Sequence, residues 1–290
     1  VPFLGEIPFS ISRKNMPTLK ERIQFWKKPR EVREMVVKAG KRDVVNEAFR
    51  VLRTNLEFTI GTHPEQNVIV FTSLNPGSGK SHLAANMAMS LAIKKKKVLL
   101  IDGDLRHGST SMVINSPGEG LSDYLNGRVA DIHDILYKGE ENGLVKYFDV
   151  IPIGTIPPNP TELLFTPLLE QMIKTMRQEY DYVFIDCPPI EVVADTPIYE
   201  QFADRTIFVV RSGLMERSML PEIDALYKEK KFKNMTMILN GTKGEKLKLS
   251  YQRADGRGTF SQAFEGILHN VERRFQETQS EASRKELEDC

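Results

Sequence analysis

Cysteine is nearly absent from this 290-residue chain, which has only Cys187 and Cys290. Two residues so far apart make no disulfide framework, and a reducing compartment is expected. A net charge of +1 lacks the basic excess of a nucleic-acid binder, so no nucleic-acid partner is expected. No apolar run approaches the roughly 20 residues that span a bilayer. The chain has no initiator methionine and no signal-peptide pattern. It opens abruptly at Val1-Pro2-Phe3-Leu4-Gly5, and a fragment of a longer protein is expected. Internal repeats are missing too. What is present is a 40% hydrophobic composition, enough for one large core with or without appendages.

From Ser12 to Arg42 the chain is strongly basic, with only Glu21, Glu31 and Glu34 in opposition. Two readings fit: a solvated arm, or a segment drawn to anionic lipid at roughly 1 kcal/mol per basic residue. From Asp43 to Phe58, apolar residues recur at helical spacing and Asp43 can cap the start. Short β-rich runs then alternate with helical patterns. The runs are 68–71, 98–101, 149–153, 182–185, 206–210 and 235–239; the helices are 82–93, 161–180 and 220–231. Strands apolar throughout and separated by helices predict a mostly parallel α/β sheet with helices on both faces. Beyond Gly241 the chain turns Lys-, Gly- and Arg-rich, and residues 242–290 read as an exposed tail.

The loop Asn75-Pro76-Gly77-Ser78-Gly79-Lys80-Ser81 lies between a buried strand and a helix, the context a phosphate-binding loop requires. Gly77 and Gly79 let backbone N–H groups face phosphates without a Cβ in the way. The helix that follows adds its N-terminal dipole. Lys80 can reach the β- and γ-phosphates, and the Ser81 hydroxyl can ligate Mg²⁺. Pro76, Gly77, Ser78, Gly79, Lys80, Ser81 and His82 are the expected nucleotide-binding run. A strict Walker A has a first glycine where this chain has Leu74.

Two more strands end in carboxylates, Asp102-Gly103-Asp104 and Asp186. Ligands of parallel α/β sheets sit outside the carboxyl ends of the strands, where these side chains gather. Asp186 has the place of a Walker B carboxylate. Asp102 and Asp104 can reach a metal or an incoming nucleophile. A strand-terminal aspartate can instead cap the next helix, but three beside one phosphate loop fit that reading poorly.

Together these segments resemble the bacterial protein-tyrosine kinases of capsule and exopolysaccharide synthesis, over roughly residues 1–241. Residues 72–81 are similar to the family's Walker A, which also lacks the first glycine. Residues 98–108 (VLLIDGDLRHG) are similar to its Walker A′, and residues 182–189 (YVFIDCPP) to its Walker B. The resemblance implies ATP and Mg²⁺ as ligands, with Ser81, Asp102, Asp104 and Asp186 around the metal. It implies Asp102 as the residue that activates an acceptor tyrosine, with Lys80, Asp104 and Arg106 in the same catalytic group. Asn240 and Arg211 would lie near the base. Glu47, Arg50 and Arg53 match the family's E-x-x-R-x-x-R helix, which implies a ring-shaped homo-oligomer. The opening residues are similar to the stretch after the family's second membrane helix. That implies a basic juxtamembrane segment over 1–42, a kinase domain over 43–241, and a place on the cytoplasmic face of the bacterial inner membrane. Polysaccharide export and polymerisation machinery and a cognate phosphatase are the implied partners.

One departure concerns the acceptor. Family members end in a tyrosine cluster, whereas the tail here offers only Tyr251. Two other readings stay open. One is a non-kinase ATPase switch of the chromosome-partitioning or septum-positioning type, although Asn75 stands where those proteins carry a signature lysine. The other is an assembly scaffold controlled by nucleotide.

Overall fold

The computed structural model describes residues 1–8, 35–61, 65–115, 118–191 and 195–242. The basic arm, except its last residues, and the tail beyond Thr242, with Tyr251, lie outside them. Seven strands form one sheet: β1 Phe3–Pro8, β2 Val68–Thr72, β3 Val98–Asp102, β4 Phe148–Ile151, β5 Tyr182–Asp186, β6 Arg205–Arg211 and β7 Thr236–Thr242. All neighbours are parallel, in the order β1-β7-β6-β2-β5-β3-β4. Among the helices are α1 Val44–Ile60, α2 Lys80–Ala92, α3 Leu121–Leu125, α4 Pro160–Leu163, α5 Pro167–Glu179, α6 Thr196–Glu200 and α7 Leu220–Lys228. The central strands β2, β3 and β5 are buried at every position, which is why their sequences run apolar rather than alternating.

Helix α1 begins where Asp43 Oδ1 accepts the Asn46 N–H at 2.8 Å. It buries Phe49, Leu52 and Leu56 completely, each worth about 1.5–3 kcal/mol of apolar transfer. Helix α2 is buried nearly all round, with His82 its exception. It packs on β2, β3 and β5, with α1 against it. Its buried Asn86 is accordingly paired. Asn86 Oδ1 accepts the N–H groups of Val36 and Val37 at 2.9 and 3.0 Å.

The structure changes the expected elements in two places. The single helix expected over 161–180 is two, because Pro167 has no N–H to give an ongoing helix and instead starts a new one. The opening residues, assigned no strand and placed with the arm 1–42, form edge strand β1 on β7, so the folded unit runs from Val1 to Thr242. Gly and Pro hide this strand from propensity, yet an edge tolerates Pro. Gly5 is required there, since a Cβ would stand 2.6 Å from Leu52 Cδ2.

Candidate active site

The phosphate loop joins β2 to α2. Gly77 (φ 77°) and Gly79 (φ 89°) both take left-handed backbone angles that only glycine adopts freely. No side chain caps α2 at Gly79, leaving its first N–H groups for an anion. The loop is braced from within and without. Ser73 Oγ and Ser78 Oγ both donate to the Asn75 carbonyl, at 2.9 and 2.7 Å. Asn240 Nδ2, at the end of β7, donates to the Ser78 carbonyl at 2.9 Å. That amide lies so close to Gly79 that any Cβ there would collide with it. Leu74 is buried with Phe208, Val210 and Ile223: the missing glycine is replaced by a core residue.

A cavity of about 380 Å³ opens here, lined by Gly77, Gly79, Lys80, Ser81, His82, Arg211 and Asn240. Ile7 and Pro8 of β1, Val45 of α1, and Ser73, Ser109 and Gly241 also line it. Pro76 is exposed in the turn. His82 lies beside Asn86, whose Nδ2 is 3.3 Å from its Nδ1.

Asp102 and Asp186 face each other in register across β3 and β5, and both are fully buried. Each is half satisfied. Asp102 Oδ2 accepts the Ser111 N–H and hydroxyl at 2.6 and 2.7 Å. Asp186 Oδ2 accepts the Thr110 hydroxyl at 2.5 Å. The second oxygens, Oδ1 of both, have no hydrogen-bond partner; Lys80 Nζ stands 3.9 Å from that of Asp186. Burial first, then the Asp186 charge, pushes the Asp102 carboxyl up to about 7, against the pull of the Ser111 hydrogen bonds. Asp104, also buried, takes the Arg106 N–H at 3.3 Å and has His107 Nδ1 at 3.2 Å.

Two buried carboxylate oxygens without a hydrogen-bond partner, next to a phosphate loop, are what a cation would relieve. Among the described residues no three His, Cys, Asp or Glu side chains form an ion cage. The half-satisfied carboxylates beside the phosphate loop fit Mg²⁺, which keeps waters and phosphate oxygens around it and takes few protein ligands. Ser81 lines the same cavity.

Not every expected residue joins this group. The Arg106 guanidinium is turned to Asp195, with which it pairs through both Nη atoms, and to Thr161 Oγ1 at 2.8 Å. On α1, Arg50 pairs with Glu47 and donates to the Lys41 carbonyl at 2.9 Å. Arg53 donates inward to the Ser90 carbonyl of α2 at 2.8 Å. Both arginines are thus engaged within the chain. Sequence reasoning missed Thr110, Ser111, Thr161 and Asp195. Only for Asp195 was there a signal, its place shortly after the Asp186-Cys187-Pro188-Pro189 run.

Sheet order, phosphate loop and strand-end carboxylates define a P-loop nucleotide-hydrolase type of domain. The AAA domain family matches residues 66–233, more than half the chain, and the UvrA DNA-binding domain family matches residues 217–289. Within the latter range, the described residues Leu220–Lys228 and Thr236–Thr242 are α7 and β7 of this sheet. Tyrosine-protein kinase CpsD of Streptococcus agalactiae is 34% identical over 67% of this chain and 81% of its own. Putative tyrosine-protein kinase AmsA of Erwinia amylovora is 36% identical over 64% of this chain but 24% of its own length. The chain thus spans about a quarter of that longer relative. The kinase domain of Escherichia coli tyrosine kinase ETK superposes with a TM-score of 0.70 at 28% identity, covering 83% of this chain and 91% of that one. The chain belongs to the bacterial tyrosine-protein kinase family, and the partitioning-type alternative has the weaker support.

Proposed function

We propose that this chain transfers the γ-phosphoryl group of ATP to protein tyrosine, in service of capsular or exopolysaccharide production. The observation that carries the reading is the approach of Lys80 of the phosphate loop to Asp186, whose half-satisfied neighbour across the sheet is Asp102. Lys80 and the open N–H groups of α2 hold the β- and γ-phosphates. Asp186 and the Ser81 hydroxyl, with Asp104 nearby, would hold Mg²⁺, which would supply positive charge against the transferring group. Arg211 and Asn240 border the side of the cavity away from the carboxylate loops. Asp102, with its carboxyl raised toward neutrality, accepts the proton of the acceptor hydroxyl. The tyrosine oxygen bonds to the γ-phosphorus, the bond to ADP breaks, and the proton goes to Asp102.

The wider reading extends the family's habits to this chain: a ring of copies joined through the Glu47–Arg53 helix, phosphorylation in trans with Tyr251 as tail acceptor, and a cognate phosphatase. It places this chain at the cytoplasmic face of the inner membrane, in contact with export and polymerisation machinery. No helix among the described residues is long and apolar enough to cross a membrane. The test is incubation with Mg-ATP followed by phosphotyrosine detection on the chain and on a tyrosine peptide, with Lys80→Met and Asp102→Asn as controls. ATP turnover without phosphotyrosine on either would sink the kinase reading.

A further inference from the structure

The loop that leaves β3 carries Asp102 at its root and Asp104 within it, yet residues 103–110 have no helix or strand of their own. Helix α6 and the residue before it hold this loop from outside. The Tyr199 hydroxyl donates to the Gly103 carbonyl at 3.3 Å, and a Cβ on Gly103 would stand 3.1 Å from the Tyr199 ring. One turn earlier, fully buried Asp195 takes the Arg106 guanidinium. Thr161 of α4 closes the triangle, accepting from Arg106 at 2.8 Å and donating to Asp195 Oδ1 at 2.7 Å. Between them, the Thr196 hydroxyl donates to the Pro188 carbonyl of the Asp186 loop at 3.0 Å. One short helix therefore touches both carboxylate-bearing loops.

We infer that Asp195 is a positioning residue for phosphoryl transfer: it fixes Arg106, and through Arg106 the placement of Asp102 and Asp104. The inference rests on the nucleotide-site reading above. A buried carboxylate kept beside one arginine is costly unless fully paired, and here all its polar contacts point to the Arg106 loop and its Thr161 brace. Among the described residues the hydrogen bonds of this triangle run among Arg106, Thr161 and Asp195 and not to the phosphate loop, and of the Arg106 loop it is Ser109 that lines the cavity. Loss of the triangle therefore acts on the geometry of transfer, where small misplacements cost about 100-fold, and not on nucleotide capture.

The test compares the full chain with Asp195→Asn, Arg106→Met, the double variant and Thr161→Val. In nucleotide-free protein, hydrogen exchange is read at His107 and Gly108, whose N–H groups donate to the Asp104 carbonyl. Both are expected to exchange about tenfold faster in Asp195→Asn, as local opening is eased. The Gly103 N–H, bonded to the Asp186 carbonyl, is expected to stay protected. In turnover, kcat falls by about 10- to 100-fold with KM for ATP within about threefold, and the double variant is no worse than either single one. Unchanged exchange at His107 and Gly108, a rise in KM with kcat intact, or additive losses would overturn the inference. If Asp195→Asn does not fold, Thr161→Val, which removes one hydroxyl, must show the same changes in smaller measure. A wild type that hydrolyses ATP without making phosphotyrosine ends the kinase reading only; the exchange data and hydrolysis rates still judge Asp195.

Discussion

Asp123 and Asp102 are both buried, at 4% and 0% exposure, and the chain treats them in opposite ways. Asp123 sits in the first turn of α3, and its Oδ2 accepts the N–H groups of Gly120 and Thr155 at 3.1 and 3.0 Å. Its Oδ1 faces Arg128 at 3.4 Å. Burial would raise its carboxyl, but the Thr155 and Gly120 hydrogen bonds outweigh burial and hold it below the ordinary range. Asp102 has one oxygen served by Ser111 and the other by nothing, and its carboxyl rises to about 7. The first aspartate is finished by its own chain. The second keeps one oxygen without a hydrogen-bond partner, and on that difference the proposed catalytic role of Asp102 rests.

The comparison can be broken most forcefully at the site. Lys80→Met and Asp102→Asn should each lower phosphotransfer by about 100-fold or more, measured as phosphotyrosine formed per unit time. Asp102→Asn should leave the nucleotide-free protein at least as resistant to urea as the wild type, because it removes a charge facing Asp186. An unfolded Asp102→Asn would erase the distinction drawn above. Leu74→Gly restores a strict Walker A loop on paper, but should cost about 2–5 kcal/mol in a urea melt by emptying a core position. Nucleotide affinity should not improve.

Asp123→Asn should cost about 1–3 kcal/mol, since it weakens acceptance of two buried N–H groups. Its pH dependence has a definite sign. The folded carboxyl lies below its ordinary value of 3.8, so the stabilisation is fully present above that value and is lost as pH falls through the lowered one. Urea midpoints at about pH 5 and about pH 3 should therefore converge between wild type and Asp123→Asn. The smallest effect belongs to Arg50→Ala. Its half-buried pair with Glu47 is worth about 1 kcal/mol to the fold, so any large change in assembled mass on a sizing column would come from contact between copies.

Much of the sheet was legible because its strands are buried on both faces, and continuous apolar runs such as 98–101 and 182–185 declare that directly. Strand β1 was not: Gly5 and Pro8 have poor strand propensity, and only the pairing with β7 and the close approach of Leu52 account for them. At the site, Lys80, Asp102 and Asp186 were readable because strand ends and a glycine loop fix their positions locally. Asp195 and Thr161 were not, since they meet Arg106 only after α4 and α6 have docked. The inward turn of Arg53 was equally hidden, because spacing on α1 says which residues share a face but not what covers that face.

One contact carries a consequence for how the domain comes into being. Asn240 and Ser78 are 162 residues apart, so the phosphate loop receives its outer brace only when the last strand is in place. Closing such a long loop is slow and comes late. During synthesis the glycine loop leaves the ribosome long before β7 does. A nascent chain halted before Thr236 carries every phosphate-loop residue but not the strand that braces the loop, so the braced form of the loop reports that β7 has joined the sheet.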